Sequence, residues 1–275
     1  MPLRTHYNAI KGSSAIRDLV NRSRHIGVRQ SDAFIASYPR SGNTWVKLVL
    51  IHVLTGKPSA LEMQDEIVPY VGNHRSAPAI LPNGGRLIKT HEPFKPSYGG
   101  AYRNGVYIVR DGRDVAVSYY YYSLRRRWFD GSFSDFLPRF LAGRIGVYGS
   151  WHEHVLSWSR NAQGKNDRMP IVRYEDLVAR PIDTFSEVLR GIGANPTNTI
   201  LPEAVEHHSF DNLRNLEAST QHLSQSGGAV DAGQLRFFRS GAPGAWHSTF
   251  ADRDAREFDA VAGAVLRQFG YEPST

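Results

Sequence analysis

The sequence predicts an α/β protein: one domain with a central parallel sheet flanked by helices on both faces. Three observations predict it. Short apolar, often β-branched segments alternate with longer runs of helical spacing along the 275 residues, the order in which parallel strands are joined by crossover helices. Hydrophobic residues make up 41% of the chain and charged residues 21%, which is enough apolar surface for a packed core. No Pro/Gly-rich linker separates two apolar halves. The chain therefore reads as an N-terminal extension over residues 1–32 and a single domain over 33–275.

Taken in order, residues 1–31 are polar and basic, with a short helix expected around Ser14–Asn21. Ala33–Tyr38 is apolar and bounded by turn residues, and is the first strand. The helical run Thr44–Leu54 follows at once. Residues 56–84 are rich in Pro, Gly and Asn and read mostly as loop. Arg86–Thr90 is a second strand, and the β-branched Val106–Arg110 a third, buried one. Arg113–Arg125 is helical, and residues 132–142 and 149–160 have helical apolar spacing. Ile171–Tyr174 is a fourth strand and Thr184–Ile192 a helix. Residues 218–245 are rich in Ser, Gln and Gly and read as a mobile loop. The amphipathic helix Asp252–Phe269 closes the chain.

Composition excludes several kinds of chemistry. The chain has no cysteine, so disulfides, thiolate zinc sites, iron–sulfur clusters and a Cys nucleophile are ruled out. No stretch approaches the ~20 apolar residues of a membrane-spanning helix. The N-terminus lacks the apolar core of a secretory signal, and a cytoplasmic protein is expected. The net charge of +7 favours an anionic partner: nucleic acid, a phosphorylated small molecule or an acidic membrane face.

Four motifs carry chemistry. Tyr38-Pro39-Arg40-Ser41-Gly42-Asn43-Thr44-Trp45 leaves a strand and opens a helix. Such a turn aims backbone N–H groups at a phosphate from the positive end of the helix dipole. Gly42 permits close approach, Ser41, Asn43 and Thr44 add polar groups, and Arg40 is a charged clamp. An ordinary turn capped by Ser41 or Thr44 is the alternative. Arg110 ends the third strand, and Ser118 lies eight positions on, about two helical turns in; the pair suits a second phosphate, or else both are solvated. Lys89-Thr90-His91-Glu92-Pro93 ends the second strand, where open α/β sheets gather reacting groups. An imidazole there can take a proton from a hydroxyl. Arg239-Ser240-Gly241-Ala242-Pro243-Gly244-Ala245-Trp246 reads as an anion-gripping segment or as a plain loop.

Together, in this order and spacing, the four motifs resemble the PAPS-dependent sulfotransferase family of the cytosolic type (PAPS is 3′-phosphoadenosine-5′-phosphosulfate). Residues 38–45 are similar to its Y-P-K-S-G-T-T-W loop, with Arg40 for Lys and Asn43 for Thr. Arg110 and Ser118 match its 3′-phosphate pair, and 89–93 its K-T-H-x-P. Residues 239–246 match its R-K-G-x-x-G-x-W, with Ser240 for Lys. Tyr174-Glu175-Asp176 and Ser209-Phe210 resemble the elements beside its adenine, and Trp45 offers a ring face there or else is a core residue under the helix.

The resemblance implies a P-loop-like sulfotransferase domain and direct in-line sulfuryl transfer from PAPS to a hydroxyl, or amine, of a small-molecule acceptor. His91 is then the base, Lys89 and Arg40 stabilise charge, and no metal is required because Arg and Lys replace the cation. Cofactor binding falls to Arg40, Ser41, Gly42, Asn43, Thr44, Trp45, Arg110, Ser118, Tyr174, Ser209, Phe210, Arg239, Ser240 and Gly241. Residues 56–84, 119–150 and 218–238 are expected to wall the acceptor pocket. Tyr119–Tyr122 belong to a helix lining it, with Arg125–Arg127 as its solvated end. Glu92 is an alternative base. The family's dimer motif would begin at His247, and Ala251, Asp252 and Arg256 do not match it; the oligomeric state stays open. Two rival readings remain. A mononucleotide kinase requires a GxxxxGK[ST] loop, which is absent. A non-catalytic nucleotide or RNA binder would have no use for Lys89 and His91, so no nucleic-acid partner is expected.

Overall fold

The computed structural model describes residues 14–162, 169–219 and 236–274. Strands β1 (Ala33–Ser37), β2 (Leu87–Thr90), β3 (Gly105–Val109) and β4 (Ile171–Arg173) form one sheet in the order β2-β1-β3-β4, with every pair parallel. All residues of β1, β2 and β3 are buried, as a sheet covered on both faces requires.

The period of two along the strands divides the core. Phe34, Ala36, Ile88, Tyr107 and Val109 pack on one side. Their partners come from α5 (Gly112–Arg125), α6 (Phe133–Leu141), α7 (Trp151–Ala162) and α12 (Asp252–Gln268). Ala33, Ile35, Leu87, Val106 and Ile108 pack on the other. There they meet α2 (Asn43–Thr55), α9 (Pro181–Gly191) and α10 (Leu201–His207). The starts of β1 and β2 are joined by a buried ion pair: Arg86 Nη2 lies 2.6 Å from Asp32 Oδ2, and its Nε lies 3.1 Å from Oδ1.

Because β2 and β3 lie on opposite sides of β1, successive connections leave in opposite directions. The crevice outside the carboxyl ends of such strands is where open sheets hold ligands. The Tyr38–Trp45 loop, His91 and Arg110 all follow the carboxyl ends of these three strands.

Local structure departs from the sequence expectations where tertiary contacts outweigh local pattern. β4 stops at Arg173, and Tyr174 opens the short helix α8 (Tyr174–Ala179). The stretch expected as loop over 56–84 contains α3 (Gln64–Ile67) and a bridge that pairs Tyr70 parallel with Lys89. Three further helices have no counterpart in the sequence reading: α4 (Pro96–Gly99), α10 and α11 (Phe210–Ser219). The N-terminal helix α1 runs Ser14–Arg24. Of the loop expected over 218–245, residues 220–235 lie outside the described residues, and so does its expected mobility.

Candidate active site

One cavity of about 640 Å3 opens at the carboxyl edge of the sheet. All the sequence-predicted site residues line it except Ser41, whose side chain is buried in the loop beneath.

The loop from β1 to α2 is shaped by its backbone. Gly42 sits at φ +91°, and a Cβ there would lie 2.5 Å from the Tyr174 ring. Only glycine lets Tyr174 pack against the turn. Arg40 holds φ +71° without being glycine, a costly conformation that concentrates at functional turns. Its guanidinium reaches across the cavity, donating from Nε to Ser118 Oγ at 3.1 Å and from Nη2 to the Phe237 carbonyl at 2.9 Å. It also stacks on the Phe237 ring at 4.5 Å. Asn43 turns inward, donating to Ile35 O and to Ser37 Oγ.

At the end of β3, the Arg110 guanidinium lies 4.3 Å from the centre of the Tyr174 ring and 3.7 Å from Asp114. Arg239 stacks on Tyr121 at 4.8 Å. Tyr174 donates its hydroxyl to the Gly241 carbonyl at 2.7 Å. Phe210 fills the space a Cβ on Gly241 would take, 2.3 Å away. Trp45 packs edge-on to Tyr174 and Phe185 while lining the cavity. Ser209 lines it beside Phe210, and the Ser240 hydroxyl accepts from Ala242 N–H. Ser41 Oγ, Trp45 Nε1, Arg110 Nε and Arg239 Nε are buried without a hydrogen-bond partner among the described residues. Unmet donors around a cationic cavity are what a bound polyanion would satisfy.

At the far end lie Lys89 and His91. His91 Nδ1 is 2.7 Å from the Ser37 carbonyl; a carbonyl can only accept, so Nδ1 carries the proton and Nε2 keeps its lone pair. Burial first, and the Lys89 ammonium second, hold this imidazole well below its ordinary pKa. The backbone is fixed as well, because His154 Nε2 donates to the His91 carbonyl at 3.0 Å. Lys89 lies over the Tyr70 ring at 4.5 Å. Burial pushes its ammonium down to about 8, opposed by Asp65 and reinforced by Arg40. The rings of Tyr70, Tyr119, Tyr122, Trp128 and Tyr148 line this end.

Glu92 does not face the cavity. Its buried carboxylate accepts from Arg24 at 2.9 Å and Asn21 at 2.8 Å, and pairs with Arg17 at 3.4 Å. It anchors α1 to the residue after His91. Arg125 departs from expectation too: it is largely buried and pairs with Glu217 at 3.6 Å, whereas Arg126 and Arg127 are exposed.

Sequence reasoning missed three supporting groups. Asp114 accepts from Gly244 N–H at 2.8 Å and Trp246 N–H at 2.9 Å, tying residues 244–246 to α5; an acid in the first turn of α5, just after Arg110 ends β3, was a usable signal. Glu217 accepts from the amides of Phe237 and Phe238. Lys47, buried within apolar α2, forms an ion pair with Asp65 on α3. A lone cation in an apolar helix is itself a sign of a partner.

A profile of the sulfotransferase domain matches residues 30–270. The chain is 29% identical over 280 residues to sulfotransferase 1B1 of Canis lupus familiaris, covering 94% of this chain and 92% of that protein. It is 28% identical to sulfotransferase 1E1 of Mus musculus, covering 84% and 82%. Among solved structures it is similar in fold to mouse sulfotransferase SULT7A1 complexed with PAP (TM-score 0.66, 22% identity, covering 92% of this chain and 90% of that one). It is similar also to retinol dehydratase in complex with androsterone and inactive cofactor PAP (TM-score 0.71, 20% identity, covering 93% and 87%). With a match spanning nearly the whole chain, and with the loop, strand-end and cavity residues in that family's order, the protein belongs to the PAPS-dependent sulfotransferases.

Proposed function

We propose that the protein transfers a sulfuryl group from PAPS to a hydroxyl, or amine, of a ring-bearing small molecule and releases 3′,5′-ADP, with His91 as general base. The state of His91 carries this reading. Its Nδ1–H is committed to Ser37 O, and its depressed pKa leaves the ring neutral near pH 7. Nε2 is thus a ready proton acceptor in a cavity walled by aromatic rings.

Bound PAPS supplies an activated sulfuryl group on a phosphate leaving group. The amides of residues 41–45, at the N-terminus of α2, and Thr44 hold the 5′-phosphate. Arg110, Ser118 and Arg239 hold the 3′-phosphate, and Trp45, Tyr174 and Phe210 enclose the purine. Arg40 exchanges Ser118 and Phe237 for phosphosulfate oxygens. His91 Nε2 takes the acceptor proton as the acceptor atom bonds to sulfur and the sulfur–oxygen bond to the 5′-phosphate breaks. Lys89 offsets charge on the transferring group. Such a loose transfer asks mainly for positioning and charge. That mouse SULT7A1 and retinol dehydratase are described with PAP supports the nucleotide half. Tyr70, Tyr119, Tyr122, Trp128 and Tyr148 favour a ring-bearing acceptor.

Purified protein with PAPS, screened against phenols, sugars, lipids and peptides, tests the reading. Sulfated product and 3′,5′-ADP are expected in equal amounts with a ring-bearing hydroxyl compound. Release of 3′,5′-ADP independent of every acceptor contradicts transfer.

A further inference from the structure

Helix α1 has two faces with different fates. Arg17, Asn21 and Arg24, spaced i, i+4, i+7, point inward to Glu92. Outside that inward face Ile16, Leu19 and Val20 are exposed by 44%, 70% and 49%, and Ile26 in the following turn is 59% exposed. Surface aliphatics are ordinary when scattered; four within eleven residues, on one helix and the turn that follows it, form a patch that asks for a partner.

Charge indicates which partner. Six Lys/Arg and one Asp fall in the first 31 residues, five of the seven net positive charges of the chain. Arg22 on α1 and Arg29, three residues after Ile26, are exposed as well. Asp18, the single acid of the segment, is paired with Lys95. A second copy of the same face would bring like charges together. Nucleic acid would call for exposed rings to stack on bases, and the only ring in residues 14–32 is the buried His25. Aliphatic side chains flanked by arginine are the composition of a helix lying in the headgroup region of an anionic bilayer. Helix α1, which carries the patch, adjoins the acceptor end of the cavity through its inward face, because Arg17 lies over Tyr148, which lines it, and Glu92 follows His91.

We propose that the outer face of α1 and the turn after it, through Ile16, Leu19, Val20, Ile26, Arg22 and Arg29, form an interfacial docking surface for an anionic lipid bilayer. The face binds lipid whether or not the cavity turns over PAPS, so its test is independent of the catalytic reading.

The test is sedimentation of the full chain with vesicles of phosphatidylcholine alone and of phosphatidylcholine with phosphatidylserine. Binding is expected with the anionic vesicles, weakening as salt rises. Ile16→Gln with Leu19→Gln removes the apolar contact, and the partition constant should fall about tenfold or more. Arg22→Gln with Arg29→Gln should produce a fall of similar size, about tenfold or more, on anionic vesicles. Both double variants should keep the parent melting temperature and affinity for 3′,5′-ADP. The proposal is overturned if the parent protein fails to bind anionic vesicles, binds neutral ones equally, or if the aliphatic double variant binds as the parent does. It is overturned equally if the patch captures RNA but no vesicle, or if the parent is a dimer that Leu19→Gln dissolves without any vesicle binding.

Discussion

His91 and Arg110 follow the two strands that flank β1, and their substitutions should separate chemistry from binding. His91→Ala is expected to lower kcat by roughly 10²–10⁴-fold, the range of a lost general base, with little change in affinity for 3′,5′-ADP. Arg110→Ala should instead weaken that nucleotide by about 1.5–3 kcal/mol, the worth of hydrogen bonds to a charged group, as read by calorimetry. Near-parent turnover in His91→Ala would move the base elsewhere, and Glu92, bound to α1, is not placed to serve. Lys89 adds a pH signature. Its ammonium titrates at about 8, so kcat/KM should fall above that pH as the free enzyme loses the charge. Asp65 favours the charged form; Asp65→Asn should therefore move this limb to lower pH, and Lys89→Arg should abolish it. A limb unmoved by either change belongs to another group. His91, Lys89 and Arg110 were legible in the sequence because they end strands in a recognisable order. Asp65 was not, since its partner Lys47 is met only after α2 and α3 pack.

Elements hold these residues through a few contacts whose loss is measurable. Asp114 on α5 accepts two amides from residues 244–246. Asp114→Ala leaves those donors and Arg110 with less compensation, so affinity for 3′,5′-ADP and stability should fall together, each by about 1–3 kcal/mol. Gly42→Ala places a Cβ 2.5 Å from Tyr174 at a φ of +91°; more than a tenfold loss of nucleotide affinity is expected. The four strands were readable because each is a short apolar run between turn residues. Helices α10 and α11 were not: Leu201–His207 is only about two helical turns, and Phe210–Ser219 is mostly polar. Their positions come from packing on α2 and from Phe238 and Glu217, contacts made by residues distant in sequence. Tyr174 illustrates the same limit. It continues an apolar run in the sequence, yet the chain turns there into α8 and places the ring against Gly42.

For the whole molecule, stability and ligand binding meet at the sheet. Asp32 joins β1 to β2 through Arg86; burial raises its carboxyl pKa, but hydrogen bonds from Arg86 outweigh that and hold it below the ordinary value. A carboxyl lowered in the folded state contributes stability that is present above its unfolded pKa of about 3.9 and is lost as pH falls through the folded value. Asp32→Ala should cost about 3–5 kcal/mol at neutral pH by leaving Arg86 buried and unpaired, and the difference from the parent in urea unfolding should narrow in acid. At the opposite edge of the sheet, the cavity is cationic and its donors are unmet at two places, the loop after β1 and the Arg110–Arg239 region. Two separated phosphates should therefore bind far better than either alone. Thermal unfolding with 3′,5′-ADP and with 5′-ADP compares them directly. At about 100 times its Kd, 3′,5′-ADP should add about 2.7 kcal/mol, which raises Tm by about 5 °C for a chain of this size, while 5′-ADP at the same concentration should raise it much less. Equal shifts from the two nucleotides would contradict a site built for a 3′-phosphate, and with it the assignment of PAPS as the sulfuryl donor.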